Sequence, residues 1–280
     1  MSQPMPDARR FTHEAMNTTF ELRLRVADEG LAASLARECI EEIDRLEDRL
    51  SRFREDSEVT RINRMREGET LRLSEETAAC LRRALEIHRQ SGGLFDVTLG
   101  RQIEQRKAGG AGALAPARGG FMIDPGQPLI TCLAEGREID LGGIGKGFAL
   151  DRLREILVDW EIAGGLLSAG ASTQLAFGDA AWPVELRAEG ACQRLELRDA
   201  ALSASGTSIQ GAHIVHPAGP KQPMWPRLWL VARDATLADA WSTAAILMPR
   251  DQLSAALRDT PGLSAILVEE EGAPVALDPS

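Results

Sequence analysis

The 280-residue chain predicts an α/β fold of the α+β kind, with mixed or antiparallel sheets covered by helices. Three observations carry that expectation. A stretch of two-residue alternation runs straight into a long amphipathic helix, a glycine-rich turn at 139–151 joins a strand end to a second helix, and short strands dominate 164–233 before a nearly all-apolar helix near 237–248.

Residues 11–26 alternate as a strand does, with Phe20, Leu22, Leu24 and Val26 on one face and Glu21, Arg23 and Arg25 on the other. Leu31, Leu35, Cys39, Ile43, Leu46 and Leu50 then recur every three or four residues, which is helical spacing, and Glu41, Glu42, Arg45, Asp48 and Arg49 form its solvated face. Ser74 starts another helix, with Leu81, Leu85 and His88 along one stripe and Gly92-Gly93 closing it. Residues 108–120 carry too little side-chain bulk to pack and read as a mobile loop, and residues 1–10 as a flexible N-terminus. Short strands are expected near 121–124, 129–132 and 136–141. The helix after the glycine turn places Ala149, Leu153, Ile156, Leu157 and Trp160 on one face, and a final strand covers 265–268. With no clean linker, 11–270 reads as a single domain, or two intimately packed ones.

A formal charge of −10 argues against a nucleic-acid partner, which demands a basic face. Cys39, Cys80, Cys132 and Cys192 form no metal-type cluster and read as buried thiols. No stretch reaches the ~18 consecutive apolar residues of a membrane span, and the first ten residues hold no apolar run like a signal peptide, so a cytoplasmic protein is expected.

The segment Ile139-Asp-Leu-Gly-Gly-Ile-Gly-Lys-Gly-Phe-Ala-Leu-Asp151 concentrates the chemistry. Glycines let backbone N–H groups approach a ligand, a helix N-terminus favours negative charge, and Lys146 puts a cation where the helix dipole disfavours one. An anion site explains that placement, although a plain strand-to-helix turn would also use glycines. Two phosphate motifs are excluded. Asp140 stands where a P-loop needs its first glycine and Gly147 where it needs Ser or Thr, and Phe148 stands where a dinucleotide fingerprint needs its third glycine.

Asp239 and Thr243 are four residues apart, hence neighbours on one face of an otherwise apolar helix. Either Thr236 caps the helix, Asp239 sits at its third position and Thr243 bonds back to a carbonyl, or the pair belongs to a hard-cation site of the kind Mg²⁺ takes. His213 and His216 fall on a strand ending at Pro217, on opposite faces, which argues against a joint metal site. One of them could act as a general base, or be simply hydrogen-bonded.

Taken in order, Met-Asn-Thr-Thr-Phe at 16–20, Ser-Arg-Phe-Arg-Glu-Asp-Ser-Glu-Val at 51–59 with Asn63, Gly-Leu-Phe-Asp-Val-Thr-Leu-Gly at 93–100, the 139–151 turn, Ser-Ala-Ser-Gly at 203–206, His-Ile-Val-His-Pro at 213–217 and Ala-Asp-Ala-Trp-Ser-Thr-Ala at 238–244 resemble the FAD:protein FMN transferases, the ApbE-type flavin transferases. The resemblance spans about 11–248. It implies an ApbE-like fold that binds FAD with Mg²⁺ and transfers the FMN half to a Ser or Thr hydroxyl of an acceptor protein, releasing AMP. By the same resemblance, Met16, Phe95, Asp96, Asp140 and Lys146 match flavin-nucleotide positions. Asp239 and Thr243 match the Mg²⁺ side-chain ligands, Gly143 the residue whose carbonyl joins them, and His213 the candidate base.

The chain departs from the family pattern at three places. Asn17 replaces a usual glycine, Gly170-Ala171-Ser172 lacks the usual acidic residue, and His216 replaces an aspartate before Pro217. Two alternatives share the retained residues: an FAD-binding relative that transfers nothing, and a Mg²⁺-dependent hydrolase that uses water in place of the hydroxyl.

Overall fold

A computed structural model describes residues 8–108, 117–206, 214–219 and 222–277. The alternating stretch at the start is a hairpin of two strands, β1 (Arg9–Ala15) and β2 (Thr18–Leu24), paired antiparallel from Arg9↔Leu24 to Ala15↔Thr18. The single strand expected over 11–26 is thus broken at Met16-Asn17, whose φ angles of 49° and 58° make the two-residue turn that a twisted hairpin needs. Asparagine tolerates that region. Methionine does so at a cost, and no glycine or proline in the sequence signals the bend. β1 begins at Arg9, inside the segment expected to be flexible.

The amphipathic helix is α1 (Glu29–Leu50), capped by Asp28, whose carboxylate accepts from Leu31 N at 2.6 Å. A short α2 (Glu58–Asn63) and β3 (Thr70–Arg72) follow. The helix expected after Ser74 is α3 (Glu75–Gln90), with Ser74 as its cap. Next come α4 (Gly100–Lys107), β4 (Gly120–Ile123), β5 (Leu129–Ala134) and α5 (Gly145–Asp159). Part of the loop expected to be mobile, 109–116, lies outside the described residues, while Gly120 already belongs to β4.

No strand forms at 136–141. That segment makes one isolated parallel bridge, Leu99↔Glu138, with Gly100 N donating to the Glu138 carbonyl and Asp140 N to that of Val97, and a side chain holds it from the other edge. Asn63 takes both backbone groups of Ile139, accepting from its N–H at 2.7 Å and donating to its carbonyl at 2.9 Å.

The second half supplies β6 (Gly164–Ala169), β7 (Thr173–Gly178), β8 (Trp182–Arg187), β9 (Cys192–Leu197), β10 (Ala200–Gly206) and β11 (Arg227–Ala232), then α6 (Ala235–Ala245), α7 (Arg250–Asp259), β12 (Leu263–Glu270) and β13 (Ala273–Ala276). The main sheet has eight strands in the order β1-β2-β6-β7-β10-β11-β12-β13, with every neighbouring pair antiparallel. β3-β5-β4 form a second sheet and β8-β9 a separate hairpin.

Period-two alternation divides the main sheet between two cores. Leu167, Leu175, Ala201, Leu230 and Ile266 face the helices, whereas Leu166, Ala176, Leu202, Trp229 and Leu267 face the β8-β9 hairpin around the buried Trp182. On the helix side α6 is central. Ten of its eleven residues are buried, which explains its all-round apolar sequence and makes its one carboxylate, Asp239, conspicuous. Cys39, Cys80 and Cys132 are buried free thiols as expected, while Cys192 is exposed at the start of the short hairpin strand β9. Burial pushes the Cys39 and Cys80 thiols up to about 12, so both are neutral. No helix of the described residues is long and apolar enough to cross a membrane.

Candidate functional site

A cleft of about 700 Å³ opens where the β1-β2 turn, the segment before α4, the glycine turn and α6 meet. Met16, Phe95, Asp96, Asp140, Gly143, Lys146, Asp239 and Thr243 all line it. Eight of the nine residues singled out from the sequence are thus brought together from positions spread over more than two hundred residues. The ninth, His213, lies outside the described residues, and its neighbours Ile214 and Val215 line the cleft.

The floor is made by two helices in close contact. At Gly147 a Cβ would stand 2.8 Å from the Asp239 side chain and closer still to the Ala235 carbonyl, so only glycine lets α5 approach α6 this closely. The contact lets Gly147 N–H donate to Asp239 Oδ2 at 3.0 Å. Thr173 donates to Asp239 Oδ1 at 3.2 Å, and the Lys146 ammonium lies 3.7 Å from Oδ2. Asp239 is 5% exposed, and each carboxylate oxygen accepts one of these hydrogen bonds.

Thr243 donates back to the Asp239 carbonyl at 3.2 Å, as one of the two sequence readings expects. The rest of that reading needs correction. Asp234 caps α6, accepting from Leu237 N at 2.7 Å, and Asp239 stands at the fifth helical position. Thr236 instead donates its hydroxyl to Asp151, a residue of α5, whose carboxylate also accepts from Ala235 N and Thr236 N at 2.8 Å each. Burial raises the Asp151 pKa to about 6 against the opposing pull of these hydrogen bonds.

Gly143 faces Thr243 and Phe95: a Cβ there would lie 3.2 Å from Thr243 Oγ1 and 3.4 Å from the Phe95 ring. Asp239 and Thr243 thus offer a carboxylate and a hydroxyl in one corner, with the Gly143 backbone packed against Thr243. No group of three or more His, Cys, Asp or Glu among the described residues could hold a metal. A donor set with one carboxylate suits a hard, hydrated cation that takes its remaining ligands from water and substrate phosphate.

Asp140 and Asp96 shape the walls, and each is already engaged. Asp140 accepts from Gly142 N at 2.8 Å and from Arg52 at 3.3 Å. Asp96 accepts from Thr98 N at 2.9 Å and from Arg137 at 2.9 Å. Phe95 is held through its backbone, since its carbonyl accepts from His88 Nδ1 at 2.7 Å, which places the proton of a neutral His88 on Nδ1. Phe53, 74% exposed, stands at the rim.

Sequence reading missed a chain of hydroxyls beneath Asp239. Thr173 Oγ1 lies 3.3 Å from Ser203 Oγ, which lies 3.3 Å from Ser242 Oγ, which lies 2.9 Å from Ser205 Oγ at the cleft surface. The signal available was the Ser203 and Ser205 alternation on β10, which puts both hydroxyls on one face. Residues 214–216 form no strand, contrary to expectation. His216 Nδ1 accepts from Ala218 N at 3.0 Å in a turn that closes with Gly219 N donating to the His216 carbonyl. A smaller cavity of about 320 Å³ lies behind Asp96 and Val97 against α3, and it lacks the lysine and the carboxylate of the cleft floor.

Known proteins share this fold. A structure titled flavinyl transferase ApbE, from Pseudomonas stutzeri, superposes with a TM-score of 0.83 at 21% identity, covering 100% of this chain and 97% of its own. The Vibrio cholerae flavin transferase ApbE gives 0.81 at 17% identity, with 97% of each chain covered. In sequence, a Treponema pallidum protein named FAD:protein FMN transferase is 26% identical over 264 residues, 78% of this chain and 72% of that protein, and a Klebsiella pneumoniae protein of the same name is 23% identical over 97% of this chain and 87% of its own. The ApbE family profile matches residues 16–267, spanning every wall of the cleft, and on that match the chain belongs to the ApbE family.

Proposed function

We propose that this protein is an FAD:protein FMN transferase, an enzyme that moves the FMN half of FAD to a Ser or Thr hydroxyl of an acceptor protein and releases AMP. The observation that carries this reading is the convergence of Lys146, Gly143, Asp239 and Thr243 in one corner of the cleft, within a chain matched along its length by the family. Relatives that bear the transferase name favour transfer over FAD storage or simple hydrolysis.

In this reading the FAD pyrophosphate lies over the glycine turn, where the α5 N-terminus and Lys146 attract its charge. Asp239 and Thr243, with the Gly143 carbonyl, would hold Mg²⁺, and the ion would supply charge neutralisation for the phosphates and the AMP leaving group. The acceptor oxygen attacks the flavin-side phosphorus; that O–P bond forms as the bridging P–O bond to AMP breaks, and the hydroxyl proton passes to a base. His213 takes that role on the family resemblance. Phe95 and Met16 line the wall against which a flat ring can pack, and Lys146 stays with the phosphates through the transfer.

Incubating the pure protein with FAD, Mg²⁺ and a candidate acceptor, then measuring AMP and the acceptor's mass, tests the proposal. AMP together with flavinylated acceptor is expected. AMP with free FMN alone would replace transfer by hydrolysis, and intact bound FAD with no AMP would leave only a binding protein.

A further inference from the structure

The corner proposed for the metal already contains a cation. Lys146 Nζ donates to the Gly142 carbonyl at 3.1 Å and lies 3.7 Å from Asp239 Oδ2. Its side chain is 14% exposed and that of Asp239 6%. Among the described residues it is the only cation within 4 Å of that carboxylate. A carboxylate this buried needs a counter-charge, and Lys146 supplies it from α5, across the helix contact that Gly147 permits.

We propose that the Lys146 ammonium is the resident counter-ion of Asp239, that it competes with Mg²⁺ for this carboxylate, and that FAD resolves the competition, so Mg²⁺ and FAD bind cooperatively. This inference rests on the transferase reading for the metal's place. A divalent cation added beside Asp239 while Lys146 stays put sets three positive charges against one negative. The FAD pyrophosphate carries two negative charges, enough to give Lys146 a new partner and to offset the charge that the metal would add. Lysine suits this exchange better than arginine: its ammonium is a compact point charge on a flexible stem, able to pass from carboxylate to phosphate oxygen without rebuilding a planar fork. The chain has only three lysines among its 32 basic residues, so a lysine here stands out against an arginine-rich background. Linkage makes the effect reciprocal: each ligand tightens the other by the same factor.

The test is calorimetric titration of Mg²⁺ into the full chain, with and without FAD, for the unaltered protein, Lys146→Gln and Lys146→Met, with Asp239→Asn as a control. The unaltered protein should bind Mg²⁺ weakly alone and at least about 10-fold more tightly with FAD, within the usual range of coupling between sites. Removing the ammonium should tighten Mg²⁺ binding to the FAD-free chain by about 10-fold while weakening FAD binding, an opposition that loss of structure does not produce. Asp239→Asn should remove the Mg²⁺ signal. If both Lys146 variants bind Mg²⁺ no better than the unaltered chain, while FAD still tightens Mg²⁺ on the latter, the competition is overturned and the metal site stands. If Mg²⁺ binds no form with or without FAD, the metal site and this inference fall together.

Discussion

The first turns of α5 and α6 abut at the cleft floor and differ in how they satisfy their N–H groups and in the charge they carry. At α6 two carboxylates close the end: Asp234 takes Leu237 N–H, and Asp151, reaching over from α5, takes those of Ala235 and Thr236. At α5 the cap position is Ile144, which offers no side-chain hydrogen bond; Gly145 N–H goes to the Leu141 carbonyl, Gly147 N–H to Asp239, and Lys146 stands between them. The α5 end carries an ammonium where α6 carries carboxylates. A helix start closed by two carboxylates is a structural joint, whereas the α5 start gives one N–H to a carboxylate, Gly147 to Asp239, and adds the Lys146 ammonium, a surplus of positive charge that suits an anion from outside. The two ends fix each other, because Asp239 and Thr243 ride on α6 while Asp151 and Lys146 ride on α5.

The sharpest way to break that division is at Asp239, which touches both helices. Asp239→Ala should lower turnover by at least about 10³-fold, the scale of losing a preorganised charge-stabilising group, and more completely than His213→Ala, since water can partly replace a lost base. Single-turnover AMP release would check it, and equal residual rates in the two variants would contradict it. The second variant presses on the contact itself. Gly147→Ala drives a methyl group into the Ala235 carbonyl and the Asp239 side chain, and overpacking of this kind costs about 1–3 kcal/mol, which thermal denaturation would register as a Tm lower by roughly 2–10 °C.

The smallest effect concerns the closed end and is read through pH. Asp151 holds its proton to about 6 in the folded chain, above the ordinary aspartate value near 3.8. Between those values the folded protein binds more protons than the unfolded one, so this group's contribution to stability falls as pH rises from about 4 to 6 and is flat above. Asp151→Asn should cost about 1 kcal/mol at pH 7 through the weakened cap, and its deficit should widen towards pH 5, where the unaltered protein gains stability that the variant does not. Parallel Tm–pH curves for the two proteins would show that Asp151 does not titrate in this window.

Legibility in the sequence followed the range of the interaction. α1, α3, α5 and α6 were readable because each carries a periodic apolar stripe or a continuous apolar run, and Ser74 was readable as a cap from its place before the stripe. The hairpin turn at Met16-Asn17 was not, because its left-handed backbone is imposed by strand pairing on residues that do not announce it. Nor was the 136–141 segment, which alternates like a strand and yet is held by Asn63 and Arg52 from far along the chain. Thr236 reads as the cap of α6, yet Asp234 takes that place, because the Thr236 hydroxyl is drawn to Asp151, a partner 85 residues away along the chain.

What the sequence determined by itself was local chemistry: a lysine in a glycine-opened helix start, a carboxylate and a hydroxyl four apart on a buried helix, and seven ordered blocks that resemble one family. Their meeting was decided by the tertiary structure. Period and propensity act over a few residues, but the cleft depends on how closely α5 and α6 approach, and Gly147, with no side chain to signal its importance, sets that distance. The same close approach pairs Lys146 with Asp239, so two charges read separately in the sequence become one coupled site.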